Sequence, residues 1–467
     1  MINREVELNF LRGIRKEKLA RKGNDTGLIY ADALEDLEDN NQDQELIAEF
    51  IRVQCGIEEL LYSERPEDIA ERLKLQRREA ELLQPIESDD HLSVNAPFPE
   101  GSVAGLWQKK LLELFGDAVI LGTTEHLGID KFRTFPLFSG GIPVGLVKKW
   151  TPEVENIPLH AILLRFDEFG SSDDELDYLR RYVTNRSSLI IEARISHWED
   201  ANLQHVTGFI AEHLRELTEL KIYGTGPDLN FITRALITQS FDSGPHRLEK
   251  FELTGGSTGH SPLQTIEIIQ QANLPGLKYL KLHGLNLEGG HLPDIAAAEC
   301  LRKVVVLDLS NNQLGYQHGN IERMGQNAVP EYNEGLARFV GVLPTYPLSP
   351  NLAALRFLVL RENELGGDSR GSWAASILAG INSPAQIQEL GGSHDSSFAE
   401  SVLTVRPAQL LQPLKGLELA NNNFSEGDIV RLKKTFAGIT YIDFSRNGEF
   451  GYKEDSRILG LIQREPS

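Results

Sequence analysis

One eleven-residue pattern recurs along the chain and limits what it can fold into. Leu355, Leu358, Leu360, Asn363 and Leu365 fill the fixed positions of L-x-x-L-x-L-x-x-N-x-L. Leu414, Leu417, Leu419, Asn422 and Phe424 fill them again, with Phe in the last place. Apolar residues two apart point to one side of a short strand. An Asn three residues after the last of them turns the chain, because its amide bonds nearby backbone groups. Further units begin at Leu217, Leu248, Leu277, Val304 and Ile439, and weaker ones at Leu159, Arg186 and Ile387. The successive steps are 27, 31, 31, 29, 27, 51, 32, 27 and 25 residues, so most units leave room for a helix after the strand. The 51-residue step reads as one unit plus an insertion over about 315–350, holding an expected helix from Glu331 to Leu343. Asp428 to Phe436 supplies a return helix, with Ile429, Leu432 and Phe436 on one face and Lys433 and Lys434 outward. Trp373 to Leu378, closed by Gly380, supplies another.

These motifs resemble leucine-rich repeats of the ribonuclease-inhibitor-like kind. The resemblance implies an α/β solenoid over 159–467, with a curved parallel sheet inside and helices outside. It also implies a concave strand face that meets a protein partner.

Composition removes several alternatives. The chain has 467 residues, too many for one compact core. No apolar run reaches membrane-spanning length, and MINREVELNFLRGIRKEK carries no apolar signal core. Only Cys55 and Cys300 are present, which fits a reducing compartment, and the expected location is cytoplasmic. The net charge of −21 disfavours nucleic acid and anionic lipid as partners. Residues 1–95 hold 13 Lys and Arg against 23 Asp and Glu; this charge reads as a means of solubility, with a basic protein partner the sharper alternative.

Residues 1–90 read as helices without repeats. Leu8, Leu11 and Ile14 share a face; Leu28 to Leu34, Glu45 to Gln54 and Ala70 to Leu83 follow, with an acidic linker from Asp36 to Asp43. Leu28-Ile-Tyr-Ala-Asp32 and Ala48-Glu-Phe-Ile-Arg-Val-Gln54 resemble the two motifs of the small repeat-companion domain that precedes leucine-rich repeats in planctomycete-type bacterial proteins. Ala33 stands where that family usually has Trp, and the acidic linker is longer. The resemblance implies a helical domain coupled to repeats and no catalytic residue. Residues 91–158 are expected to be linker and N-terminal cap, with a helix over Trp107 to Phe115 and a hairpin or irregular cap from Phe132 to Gly141 and on through Val144 to Val147.

No cofactor, metal or catalytic residue is expected. Gly255-Gly-Ser257-Thr-Gly259 matches G-x-S-x-G after a strand, but small residues suit that turn, and His260 is adjacent whereas a true elbow has its His far along the chain beyond an acid. His197, His205 and His213 lack a metal-ligand pattern, and Ser171 to Glu175 reads as a helix start. The stacked Asn312, Asn363, Asn422 and Asn447 read as a turn-stabilising ladder. Strand positions 3, 5 and 7 point to the concave face, and from them we select Tyr223, Tyr279, His283, Phe357, Arg361, Glu418, Tyr441 and Asp443 as partner-binding candidates. Lys221, Lys250 and Lys281 form an early basic cluster, and Asp308, Glu389, Glu418 and Asp443 a late acidic one. The expected function is a non-enzymatic protein-interaction scaffold. Two rivals are a GTPase-activating-like regulator that lends a free Arg361 to a partner enzyme, and, more distantly, a hydrolase built on Ser257.

Overall fold

A computed structural model describes residues 4–20, 23–36, 42–83, 86–87, 98, 101–116, 119–121, 133–134, 138–139, 142–147, 159–165, 187–193, 217–224, 226–238, 247–255, 261–315, 336, 339, 349–365, 413–445, 447 and 456–458. The chain is mixed α/β and divides into two compact units, Met1–Phe251 and Glu252–Ser467.

The first unit opens with four helices: α1 (Arg4–Ala20), α2 (Asp25–Glu35), α3 (Gln42–Leu60) and α4 (Pro66–Leu82). Pro66 starts α4 where its missing N–H has no helical partner to lose. Leu11, Ile14, Tyr30, Leu34, Ile47, Phe50, Ile51 and Ile69 form their shared core. Charged residues of α2 and α3 meet here. Arg52 donates to Asp32 across 2.7 Å and to both oxygens of Glu35, tying α3 to α2. A buried carboxylate, Glu7, accepts from the Tyr30 hydroxyl and from Lys110, which joins α1 and α2 to a fifth helix, α5 (Val103–Phe115). The Ser102 hydroxyl caps α5 by accepting from Gly105 N at 3.1 Å.

The strands of this unit begin with β1 (Ile86–Glu87), β2 (Val119–Leu121), β3 (Arg133–Thr134), β4 (Phe138–Ser139) and β5 (Ile142–Pro143). They continue with β6 (Gly145–Val147), β7 (Ala161–Arg165), β8 (Ser188–Ala193) and β9 (Glu219–Gly224). β1 pairs with β3 and β4 with β5, both antiparallel. β2 lies antiparallel to β6, and β6, β7, β8 and β9 run parallel in that order. The expected hairpin is present as β4 and β5, while β6 (Gly145–Val147) stands in the sheet between β2 and β7, antiparallel to the first and parallel to the second. Three residues are too short to show a periodicity. Leu217, Leu220 and Ile222 are buried on one side of β9, where helix α6 (Gly226–Ile237) packs with Leu229, Ile232 and Leu236. We call this the leucine side. β10 (Lys250–Gly255) carries the chain into the second unit.

In the second unit, helices α7 (Pro262–Gln271), α8 (Leu292–Ala296) and α9 (Glu426–Thr435) alternate with strands. The strands are β11 (Tyr279–His283), β12 (Val306–Asp308), β13 (Phe357–Val359), β14 (Gly416–Glu418) and β15 (Tyr441–Asp443). β11 to β15 are parallel in chain order, and β16 (Ser456–Ile458) closes the edge antiparallel to β15. α9 starts with a capping box in which Ser425 and Asp428 satisfy each other's backbone N–H. Leu336 and Phe339, within the expected 331–343 helix, are helical and buried. The expected unit at Ile387 with Glu389, the Trp373 helix, Ser171 to Glu175, Ser257 and the three spaced histidines lie outside the described residues.

The recurring asparagines bond from one repeat back to the one before. Asn312 Oδ1 accepts from Leu285 N (2.9 Å) and Leu287 N (3.2 Å), and its Nδ2 donates to Leu282 O (2.7 Å). Asn422 does the same to Asn363 N, Leu365 N and Leu360 O, and Asn447 to Asn422 N, Phe424 N and Leu419 O. Each side chain thus fills the backbone groups that a turning strand leaves open. The residue before each of the first three ladder asparagines, Asn311, Glu362 and Asn421, has φ of 54°, 55° and 52°.

Candidate functional site

The face opposite the leucine side is where strand positions 3, 5 and 7 project. In the first unit this face is apolar and covered. Val144, Leu146, Ala161, Leu163, Ile190 and Tyr223 make one buried cluster across β6 to β9. Tyr223, chosen as a partner anchor, is 9 % exposed and belongs to this cluster. Its hydrophobic ring packs against neighbouring strands instead of standing in solvent.

Beside the apolar cluster lies a charged patch. Glu219 lies 3.2 Å from Lys221 and 2.9 Å from Lys250, and accepts from the Ser188 hydroxyl at 2.7 Å. Burial alone raises the Glu219 carboxyl; the two ammonium groups and the hydroxyl outweigh it and hold the group well below the usual carboxylate range. The basic cluster read from the sequence is therefore partly neutralised within the chain. The helical segment reaches the same patch. Burial pushes the Tyr62 hydroxyl up to about 12, with Lys250 acting against it and Glu249 and Glu219 adding to it. Burial also raises Glu79, against the Gln54 amide, Lys250 and Lys221. The α3–α4 corner and the end of α4 thus lie within electrostatic reach of the lysines.

In the second unit the strand register sorts the face into three rows. The first is Tyr279, Val306, Phe357, Gly416 and Tyr441; the second is Lys281, Asp308, Val359, Glu418 and Asp443. The third, two residues further on, is His283, Ser310, Arg361, Ala420 and Ser445. Aromatic, charged and polar rows run side by side across five strands. Phe357 and Tyr441, expected as exposed anchors, are each 5 % exposed, and Asp443 is also buried. Tyr279 and His283 are half-buried. The Arg361 side chain is 49 % exposed and that of Glu418 18 %.

Gly416 was not among the candidates, although it occupies strand position 3 of its repeat. Its missing side chain is what lets Phe357 lie down. Within the sequence, a glycine at the outward position of a strand was the available signal.

Arg361 donates to Glu418 on the neighbouring strand. Burial acts to lower the guanidinium, but Glu418, Tyr441 and Asp443 raise it overall. Glu418 remains raised by burial and by Asp443 and Asp308, even against Arg361. The GTPase-activating reading calls for a free Arg361, and this ion pair weakens it.

His283 Nδ1 lies 2.9 Å from Ser310 Oγ. Its Nε2 faces the Asn311 amide at 3.3 Å. Burial and Lys281 push His283 down to about 4, with Asp308 and Glu252 acting the other way. A catalytic Ser–His pair needs a basic imidazole oriented by an acid on its second nitrogen. Here that nitrogen meets an amide, the imidazole is a weak base, and Ser310 is buried. In the first unit His160 Nε2 lies 3.1 Å from Ser139 Oγ, but His160 is 1 % exposed and out of reach of a substrate. Among the described residues, no three His, Cys, Asp or Glu side chains converge as metal ligands do, and no helix is long and apolar enough to cross a membrane.

No protein-family model matches the chain, and no curated protein is detectably similar to it.

Proposed function

We propose that the chain is a non-enzymatic interaction scaffold of the leucine-rich-repeat kind, with an N-terminal companion-like helical domain, and that it reads a protein partner in the cytoplasm. The solenoid reading rests on parallel strands spaced by return segments and on the asparagine ladder. The companion reading rests on the two motifs and on the Asp32–Arg52–Glu35 contacts between them.

One observation carries the functional reading: in the second unit, half-buried Tyr279, Lys281, His283 and Val359 stand beside exposed Arg361 on one strand face. Partly buried aromatic and Arg groups on a rigid sheet are the residue types that dominate protein interfaces. Phe357, Tyr441 and Asp443 then act from below, as the packed floor that holds this layer. The first-unit face, with Tyr223 buried in it, belongs to the internal structure of the scaffold.

The test is site-specific photo-crosslinking with the full chain in native lysate. A photo-reactive residue at position 279 is compared with one at 263, where Leu263 is exposed on α7. A discrete adduct from 279, lost on Arg361→Glu with an unchanged circular dichroism spectrum, supports the reading. Adducts from 263 alone would move recognition to the helices.

A further inference from the structure

The asparagine ladder is incomplete at one rung. Asn312, Asn422 and Asn447 each use Oδ1 to accept two backbone N–H groups of the preceding turn. Asn363 keeps the donor half of this pattern, giving Nδ2 to Leu309 O and Arg361 O at 2.9 Å. Its Oδ1 is buried and has no hydrogen-bond partner, although the residue itself is 0 % exposed. By the pattern of its neighbours, Asn363 Oδ1 should bond Asn312 N and Leu314 N. A second buried acceptor in the same turn, Gln313 Oε1, also has no partner.

Two further features fall on this rung. Glu362 and Glu364 both adopt left-handed backbone, with φ of 55° and 54°. At the corresponding places the other repeats use residues that tolerate it: Gly284 or Asn311 or Asn421 at the first, and Asn286 or Asn423 at the second. A side chain such as Glu gains nothing from left-handed backbone, where Gly and Asn are favoured. The sequence also spaces these two repeats by 51 residues, the longest step in the chain. The joint between the turns at 309–315 and 360–365 therefore combines missing bonds with backbone strain.

We infer that this joint is a built-in hinge, the place where the second unit opens before any other part of its sheet. Backbone bonds across it persist: Leu309 N donates to Val359 O, Asn311 N to Arg361 O and Gly315 N to Asn363 O, each at 2.9 Å. Opening therefore means loss of three backbone bonds and one Asn363 amide bond, that to Leu309 O, with no cost from the unused Oδ1. At the next joint, Asn422 contributes with both ends of its amide. A buried acceptor left without a partner lacks the stabilisation that its hydrogen bond would supply. Local openings of that kind dominate exchange of the amides they release. The inference is independent of which partner the protein reads.

The experiment is residue-resolved hydrogen exchange of the full chain under conditions where exchange reports opening equilibria. Amides of Asn312 and Leu314 should exchange about tenfold faster, or more, than those of Asn363 and Leu365, their counterparts one turn on. Replacing both strained residues, Glu362→Asn with Glu364→Asn, should slow exchange at 312 and 314 several-fold and leave 422 and 424 unchanged. Equal protection at 312, 314, 363 and 365 would overturn the hinge. So would persistent slow exchange with a long-lived buried water bridging Asn363 Oδ1, because the rung would then be complete.

Discussion

The ring of Phe357 occupies the space that a side chain on Gly416 would need. A Cβ at position 416 would lie 2.5 Å from Phe357 Cδ1 and 3.1 Å from Cε1, with Tyr441 Cδ1 at 3.5 Å on the other side. The three residues share one row across three parallel strands. Gly416 does not have the left-handed φ that would demand glycine, so the requirement is for room.

Gly416→Ala should consequently lower stability by about 1–3 kcal/mol, as overpacking does. Urea unfolding followed by near-UV circular dichroism measures it. Combining it with Phe357→Leu should recover part of the loss, because the smaller side chain vacates the clash. Purely additive losses would show that the two positions do not compete for space.

The ladder predicts a ranking. Asn422→Ala removes an amide that satisfies backbone groups on both sides of its turn, and should cost about 2–4 kcal/mol. Asn363→Ala removes an amide with one idle end, and should cost less. Thermal unfolding of the two variants side by side decides it, and an equal or reversed order would contradict the broken rung.

Glu7 is the buried centre of a Tyr30–Glu7–Lys110 network. Glu7→Ala leaves the mostly buried Lys110 ammonium without that partner and should destabilise the first unit by about 3 kcal/mol. Adding Lys110→Met should return part of it. The check is the unfolding midpoint of the single and double variants, and a double variant worse than Glu7→Ala would show that Lys110 has another role.

His283 predicts an acid-sensitive term in stability. Its pKa falls from the ordinary 6.5 to about 4 on folding. The unfolded chain therefore binds the proton first, and stability rises with pH across that interval. The contribution is fully present above 6.5 and is lost as the pH falls toward 4. His283→Asn should flatten the stability profile between these limits, while the profile at neutral pH and above stays parallel to that of the parent. A folded-state imidazole titrating near 6.5 by NMR would contradict it.

Arg361→Ala should cost only about 1 kcal/mol, because its side chain is half exposed and screened by solvent. It should also raise the Glu418 carboxyl further, since Asp443 and Asp308 are then opposed by one cation fewer. Carbon-13 titration of Glu418 in parent and variant reads the shift directly, and an unmoved carboxyl would mean that the pair is not formed in solution.

Much of this arrangement was legible in the residues. The leucines at positions 1, 4 and 6 mark the buried side of each readable strand, because period-two alternation has one physical reading. The ladder asparagines were identified from spacing alone, as were the four N-terminal helices, although their ends extend beyond the apolar core of each pattern. Burial of the opposite face was not legible. Position in a strand tells which way Tyr223, Phe357 and Tyr441 point, and says nothing of what other segments lie on top of them. Nor does it reveal Gly416, whose importance comes from two neighbours 59 and 25 residues away in sequence.

The direction of the ladder has a consequence for synthesis. Asn312 closes the turn at 282–287, Asn422 the turn at 360–365 and Asn447 the turn at 419–424. Every such turn is therefore finished by a residue that leaves the ribosome later than the turn itself. At about 5–20 residues per second, a newly made repeat waits a second or several for its fastening. A chain halted early ends on an unfastened turn wherever it stops.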